Sequence, residues 1–166
     1  MKVAVIMGST SDWGVMSAAV ETLEQLGIEY EKRVISAHRT PHLMFEYATT
    51  ARERGIGAII AGAGGAAHVA GVTAGLTTVP VIGVPIRSSF DGMDSLLAIV
   101  QMPPGIPVAT VGVNGALNAA ILAAQILATG DNTIADKMEN YKSSLTDKIV
   151  KANEELSKIE YKFKTN

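Results

Sequence analysis

Two histidines, an arginine, an aspartate and a few serines and glycines stand where a chain can do proton and anion chemistry. His38 lies in Ser36-Ala37-His38-Arg39-Thr40-Pro41, away from any apolar stripe, and histidine is the side chain that exchanges protons near neutrality. His68 ends the run Gly62-Ala63-Gly64-Gly65-Ala66-Ala67-His68, where it reads either as a second proton carrier or as an anchor for the glycines. His42 falls just inside a helical pattern and reads as a surface residue. In Gly8-Ser9-Thr10-Ser11-Asp12, Ser9, Ser11 and the backbone N–H groups precede a helix, whose unpaired amides and dipole favour a phosphate. Asp12 repels phosphate but can hold ribose hydroxyls; Asp12 or Ser11 can equally serve as the helix cap. Ser36 and Arg39 add a hydroxyl and a fixed positive charge able to complete a monophosphate site, although a lone surface arginine is as readily just solvated.

The glycines of 62–65 let backbone approach a planar ligand, but they have neither the GxGxxG spacing of dinucleotide folds nor the Lys-Ser/Thr of a P-loop. The sequence has no cysteine, which excludes disulfides, thiolate nucleophiles, Fe–S clusters and cysteine-bound zinc. Its histidines and carboxylates show no metal-ligand spacing, so no metal is expected. With one Trp, four Tyr and three Phe, it also offers few rings to stack on a flavin, and no redox cofactor is expected.

These residues must be positioned by repeated strand–helix units. Residues 3–7 form an apolar run that gives way to the polar stretch 8–12, after which Met16, Ala19, Val20, Leu23 and Leu26 recur at helical spacing up to Gly27. Residues 28–35 alternate apolar and charged, as an exposed edge strand would. Thr40 and Pro41 suit the N-cap and first position of a second helix carrying Met44, Tyr47, Ala48 and Ala51 and closed by Gly55. Further strand-like runs occupy 58–61, 79–84 and 107–111, with helical patterns at 91–101 and 115–128. Strands apolar on both faces, joined by helices, predict an α/β three-layer sandwich with a parallel sheet, flavodoxin- or Rossmann-like. In such a sheet the ligand crevice lies beyond the carboxyl ends of the strands, which gathers loops 8–12, 36–40, 62–68 and 85–92.

Ile134, Met138, Tyr141, Leu145, Ile149, Ala152, Leu156 and Ile159 then step by three or four, predicting a long amphipathic C-terminal helix over 132–160. A helix of that length overhangs one compact domain; its stripe either packs on another subunit, making a homo-oligomer, or is buried within the chain. Tyr161 to Asn166 reads as a disordered tail.

The 166 residues, 48% apolar and 18% charged, read as a single domain spanning 1–166. The net charge of −2 provides no field to gather a nucleic acid, so a bound phosphate must be held locally. No apolar run approaches the roughly 20 residues that span a bilayer, and the first residues lack a signal peptide's pattern. A cytoplasmic protein with no membrane contact is expected.

Taken together and in order, the Gly8-Ser9 to Trp13 segment, Ser36 to Pro41, Gly62 to His68, and Asp94-Ser95-Leu96 through Pro107 resemble the N5-carboxyaminoimidazole ribonucleotide mutase family over nearly the whole chain. The resemblance implies interconversion of N5-carboxyaminoimidazole ribonucleotide and 4-carboxy-5-aminoimidazole ribonucleotide in purine biosynthesis, without a cofactor, by an octamer of flavodoxin-like subunits with sites at subunit contacts. It implies Ser9, Ser36 and Arg39 as phosphate ligands, with Ser11 beside them, and Asp12 as the ribose ligand. His38 takes the part of general acid/base with His68 nearby, and Gly64, Gly65 and Ala66 face the imidazole and the migrating carboxylate. The glycine-rich loop with His68 is similar to the mutase branch; the alternatives are a related carboxylase using free CO2 and a non-catalytic nucleotide-binding module. Two stretches depart from the family's pattern: Val69-Ala70-Gly71-Val72 stands where Leu-Pro-Gly-Met is familiar, and 87–92 is shorter, with Arg87 where glutamine is common.

Overall fold

The computed structural model describes residues 1–160, so the tail 161–166 lies outside the described residues. The chain alternates strand and helix through β1 (Lys2–Met7), α1 (Trp13–Gln25), β2 (Tyr30–Val34), α2 (Pro41–Thr49), β3 (Ile56–Gly64) and α3 (His68–Leu76). It continues through β4 (Val81–Ile86), α4 (Met93–Val100), β5 (Ala109–Thr110), α5 (Ala116–Ala128) and α6 (Asn132–Ser157). The five strands are parallel in the order β2-β1-β3-β4-β5, which is the flavodoxin-like order.

The central strands are buried on both faces, and their period of two divides the core. Val3, Val5 and Met7 join Met16 and Leu23 of α1 and Leu127 of α5 on one side. Ala4 and Ile6 join Met44 of α2, Val69 of α3 and Ile99 of α4 on the other. Helices therefore cover both faces, as a parallel sheet requires. At the edge, Glu31 of β2 is paired: it accepts from Lys2 at 2.8 Å and from the Tyr47 hydroxyl at 2.7 Å, and Arg54 approaches it at 3.3 Å.

Three elements differ from the sequence pattern. The run expected at 58–61 is a strand of nine residues that continues into the glycines, because Gly62 pairs with Met7 and Val84, and Gly64 pairs with Ile86. A side chain at Gly62 would run into Met16, so this glycine serves close packing of α1 on the strand. Helix α3 was not signalled between 68 and 79; its Gly71 and Gly75 lower helix propensity, but a Cβ at Gly71 would come within 2.8 Å of Met102 Sδ. Packing, not propensity, makes this segment helical. The run 107–111 contracts to two paired residues, since Pro107 has no N–H to give the ladder.

Helix α6 starts where Asp131 accepts the amides of Thr133 and Ile134 at 2.9 and 3.2 Å. Ile134 and Met138 are buried, and beyond them the stripe emerges: Leu145, Ile149 and Leu156 are 38%, 64% and 59% exposed. No helix among the described residues is long and apolar enough to cross a membrane.

Candidate active site

The sheet order reverses between β1 and β3, so the loops that leave their carboxyl ends diverge and open a crevice. A cavity of about 500 Å³ occupies it, walled by the loops after β1, β2, β3 and β4. The cavity gathers Ser9, Ser11 and Asp12 with Ser36, His38 and Arg39, and adds Gly64, Gly65 and His68 from the third loop. Ala66 is exposed and lies outside the lining. His42 is exposed on α2, away from the cavity.

The first wall is a single 3-10 turn, Thr10–Asp12, closed by a reciprocal cap. Ser9 Oγ accepts the Ser11 amide at 3.4 Å, and Asp12 Oδ2 accepts the Ser9 amide at 3.0 Å. Capping and lining the cavity are thus not alternatives for Asp12: one oxygen fixes the turn while the side chain borders the cavity. Burial pushes the Asp12 carboxyl above its ordinary value, and the amides of Ser9 and Gly8 oppose that rise.

The second wall is tied to the first. Ser36 Oγ accepts from the Arg39 amide at 3.1 Å and from Arg39 Nε at 3.4 Å, and Arg39 Nη2 donates to the Gly8 carbonyl at 3.2 Å. The guanidinium is held by neutral oxygens, and among the described residues no carboxylate pairs with it. Its charge therefore remains available to an anion. Thr40 does not cap α2 with its side chain; its hydroxyl closes the 36–40 loop, accepting the Ser36 amide at 2.9 Å and donating to the Ser36 carbonyl at 3.0 Å.

The second and third loops meet where His38 Nε2 and His68 Nδ1 are 2.6 Å apart, with the rings edge to face at 76°. A hydrogen bond between two imidazole nitrogens needs one protonated and one bare nitrogen, so these facing atoms are placed to pass a proton from one ring to the other. His68 reaches this position because Gly65, at φ +60°, and Ala67, at φ +50°, turn the chain sharply into α3. Among the described residues no group of three or more His, Cys, Asp or Glu converges as a metal ion would require.

The residue typing missed Ser88, which lines the cavity and accepts the Gly65 amide at 3.1 Å. The only signal was its place in loop 85–92 at the carboxyl edge; a serine in a polar loop has no pattern of its own.

A flavodoxin-like sheet that gathers two hydrogen-bonded histidines and an arginine at its switch point has the layout of an enzyme of the open α/β class acting on a small molecule. The chain belongs to the AIR carboxylase family, whose sequence profile matches residues 2–148. It is 56% identical over 157 residues to the N5-carboxyaminoimidazole ribonucleotide mutase of Bacillus subtilis, covering 93% of this chain and 97% of that one. With the mutase of the same name from Pyrococcus abyssi it shares 59% identity over 145 residues, 87% of this chain and 83% of that one. The crystal structure of Treponema denticola PurE superimposes with a TM-score of 0.83 at 33% identity, covering 93% of this chain and 97% of that one.

Proposed function

We propose that this chain interconverts N5-carboxyaminoimidazole ribonucleotide and 4-carboxy-5-aminoimidazole ribonucleotide, a step of purine biosynthesis, in the cytoplasm. The observation that carries the reading is the His38–His68 pair, 2.6 Å apart in a cavity that Arg39, Ser9, Ser11 and Ser36 also line. Membership of the family and the names of the relatives supply the substrate.

Arg39 and the hydroxyls of Ser9, Ser11 and Ser36 hold the 5′-phosphate, and Asp12 accepts hydrogen bonds from the ribose. The imidazole then lies against the glycine turn. The carbamate breaks its N–C bond: the nitrogen keeps the bonding electrons and gains a proton from His38, which is left as the base, and CO2 is released into the cavity. The electron-rich C4 attacks that CO2 and forms the new C–C bond. Loss of the C4 proton to the same base restores the aromatic ring. One proton goes out and one returns, so His38 ends the cycle as it began, with no ATP consumed. Confinement of CO2 beside C4 supplies the advantage, one of proximity.

The domain spans 1–166, and the exposed stripe of α6 packs on another copy of the chain in an octamer. Its exposed Leu145, Ile149 and Leu156 support that assembly.

The test follows the absorbance of 4-carboxy-5-aminoimidazole ribonucleotide in the reverse direction, without bicarbonate, with a coupled reaction that consumes the N5-carboxylated isomer. Loss that depends on the coupled reaction and on His38 supports the mutase. Loss that is independent of it and accompanied by CO2 release points to a carboxylase, and no loss points to a binding module.

A further inference from the structure

Beyond Gly64 and Ile86 the paired ladder of β3 and β4 ends. Gly65 turns away at φ +60°, and its amide would lose its partner at the point where the chain must deliver His68. A side chain takes the place of the missing rung: Ser88 Oγ accepts that amide at 3.1 Å. The turn that follows is closed by the Ala67 amide donating to the Gly64 carbonyl at 3.1 Å, and His68 comes next in the chain.

Ser88 is itself held. The Arg87 amide donates to Asn114 Oδ1 at 3.0 Å, and the Asn114 amide donates to the Pro85 carbonyl at 2.8 Å. Asn114 sits at φ +59°, a conformation asparagine tolerates better than most residues. On the other side the buried Ser95 hydroxyl bonds the Ile86 carbonyl at 3.0 Å. The backbone that carries Ser88 is thus fixed from β5's side and from α4 before its hydroxyl reaches Gly65. A hydrogen bond between two imidazoles is directional, and a shift of about 1 Å in the turn takes it beyond hydrogen-bond distance.

We propose that Ser88 is a positioning residue: its hydroxyl fixes the Gly64–Ala67 turn and thereby sets the approach of His68 to His38. This rests on the reading of that pair as the proton-transfer group. Ser88→Ala removes the acceptor, and Ser88→Thr keeps it.

The experiment records the imidazole 1H and 15N resonances of the full chain, with steady-state kinetics and the pH dependence of kcat on the same three proteins. In Ser88→Ala the low-field proton shared by the two histidines disappears. In the same variant kcat falls about ten- to a hundredfold while KM changes by no more than about threefold, and the acidic limb of the pH profile moves. Ser88→Thr restores all three. The proposal is overturned if Ser88→Ala keeps the shared-proton resonance, or keeps kcat within about twofold, or if Ser88→Thr fails to rescue while remaining folded by circular dichroism. The resonance reports on the pair whether or not the isomerase reading stands. A wild type that shows the resonance but no isomerisation overturns that reading and leaves the positioning of His68 to be judged by the spectra.

Discussion

The carboxyl edge of the sheet and the distal half of α6 are both open to solvent, and they are built in opposite ways. At the edge, polar groups far apart in sequence are bonded directly: Arg39 to the Gly8 carbonyl, His38 to His68, and Gly65 to Ser88. Along α6, Leu145, Ile149 and Leu156 present apolar surface to water, whereas Ile134 and Met138, on the same stripe, are buried against the body. Hydrogen bonds have direction, so a network of them must be completed by partners fixed in place, and the edge completes its own. Apolar contact has no direction and is completed by any surface that excludes water. The distal stripe is therefore the part of α6 whose apolar surface stays uncovered among the described residues.

The comparison is broken most severely at the histidines. His38→Asn is expected to lower turnover about 10²–10⁴-fold while nucleotide binding stays within about threefold, read by steady-state kinetics and calorimetric titration. Comparable turnover in that variant would remove His38 from the mechanism.

The two halves of α6 come next. Ile134→Ala should lower the unfolding free energy by about 2–5 kcal/mol, because it leaves a cavity under the helix. Ile149→Glu should change the unfolding of the dispersed chain by no more than about 0.5 kcal/mol, yet shift its sedimentation toward smaller species. If both variants lower stability alike and neither alters sedimentation, the distal stripe is not an interface.

Arg39→Gln removes the side chain's charge and leaves a shorter polar group. Nucleotide binding should weaken by about 1.5–3 kcal/mol, and added salt should weaken the variant less than the wild type. Binding unchanged by the substitution would place the phosphate elsewhere.

The smallest effect concerns Asp12. Burial raises its carboxyl in the folded chain above the ordinary 3.8, so the folded state holds the proton more tightly than the unfolded state does. Stability then falls as pH rises from about 3.8 through the folded value, and the ionised group is a cost at neutral pH. Asp12→Asn can still accept the Ser9 amide, so it should melt higher than wild type at pH 7, with the difference vanishing at low pH. It should also bind nucleotide less well. A lower melting temperature at neutral pH would show that the ionised carboxylate is needed for the cap.

The layout of the edge was legible because its signals are local. The apolar run ending at Gly8 marks a strand end and Thr40-Pro41 a helix start, each from neighbours in the chain, whereas the glycines from 62 on put the end of β3 too early. The distance between His38 and His68 was not legible, since thirty residues and two elements separate them. Ser88 was hidden for the same reason: its partner is the Gly65 amide, and a backbone group leaves no mark on composition.

Hydrophobic period and turn chemistry are properties of adjacent residues, and from them the sequence by itself determined a parallel α/β sandwich, the four loops at its carboxyl edge and the amphipathic length of α6. Only the tertiary structure decided that 68–76 is a helix despite Gly71 and Gly75, that the 62–64 glycines belong to a strand, and that two histidines meet at hydrogen-bond distance. Those outcomes depend on what each segment packs against, and that is fixed when the sheet order brings β1 and β3 side by side.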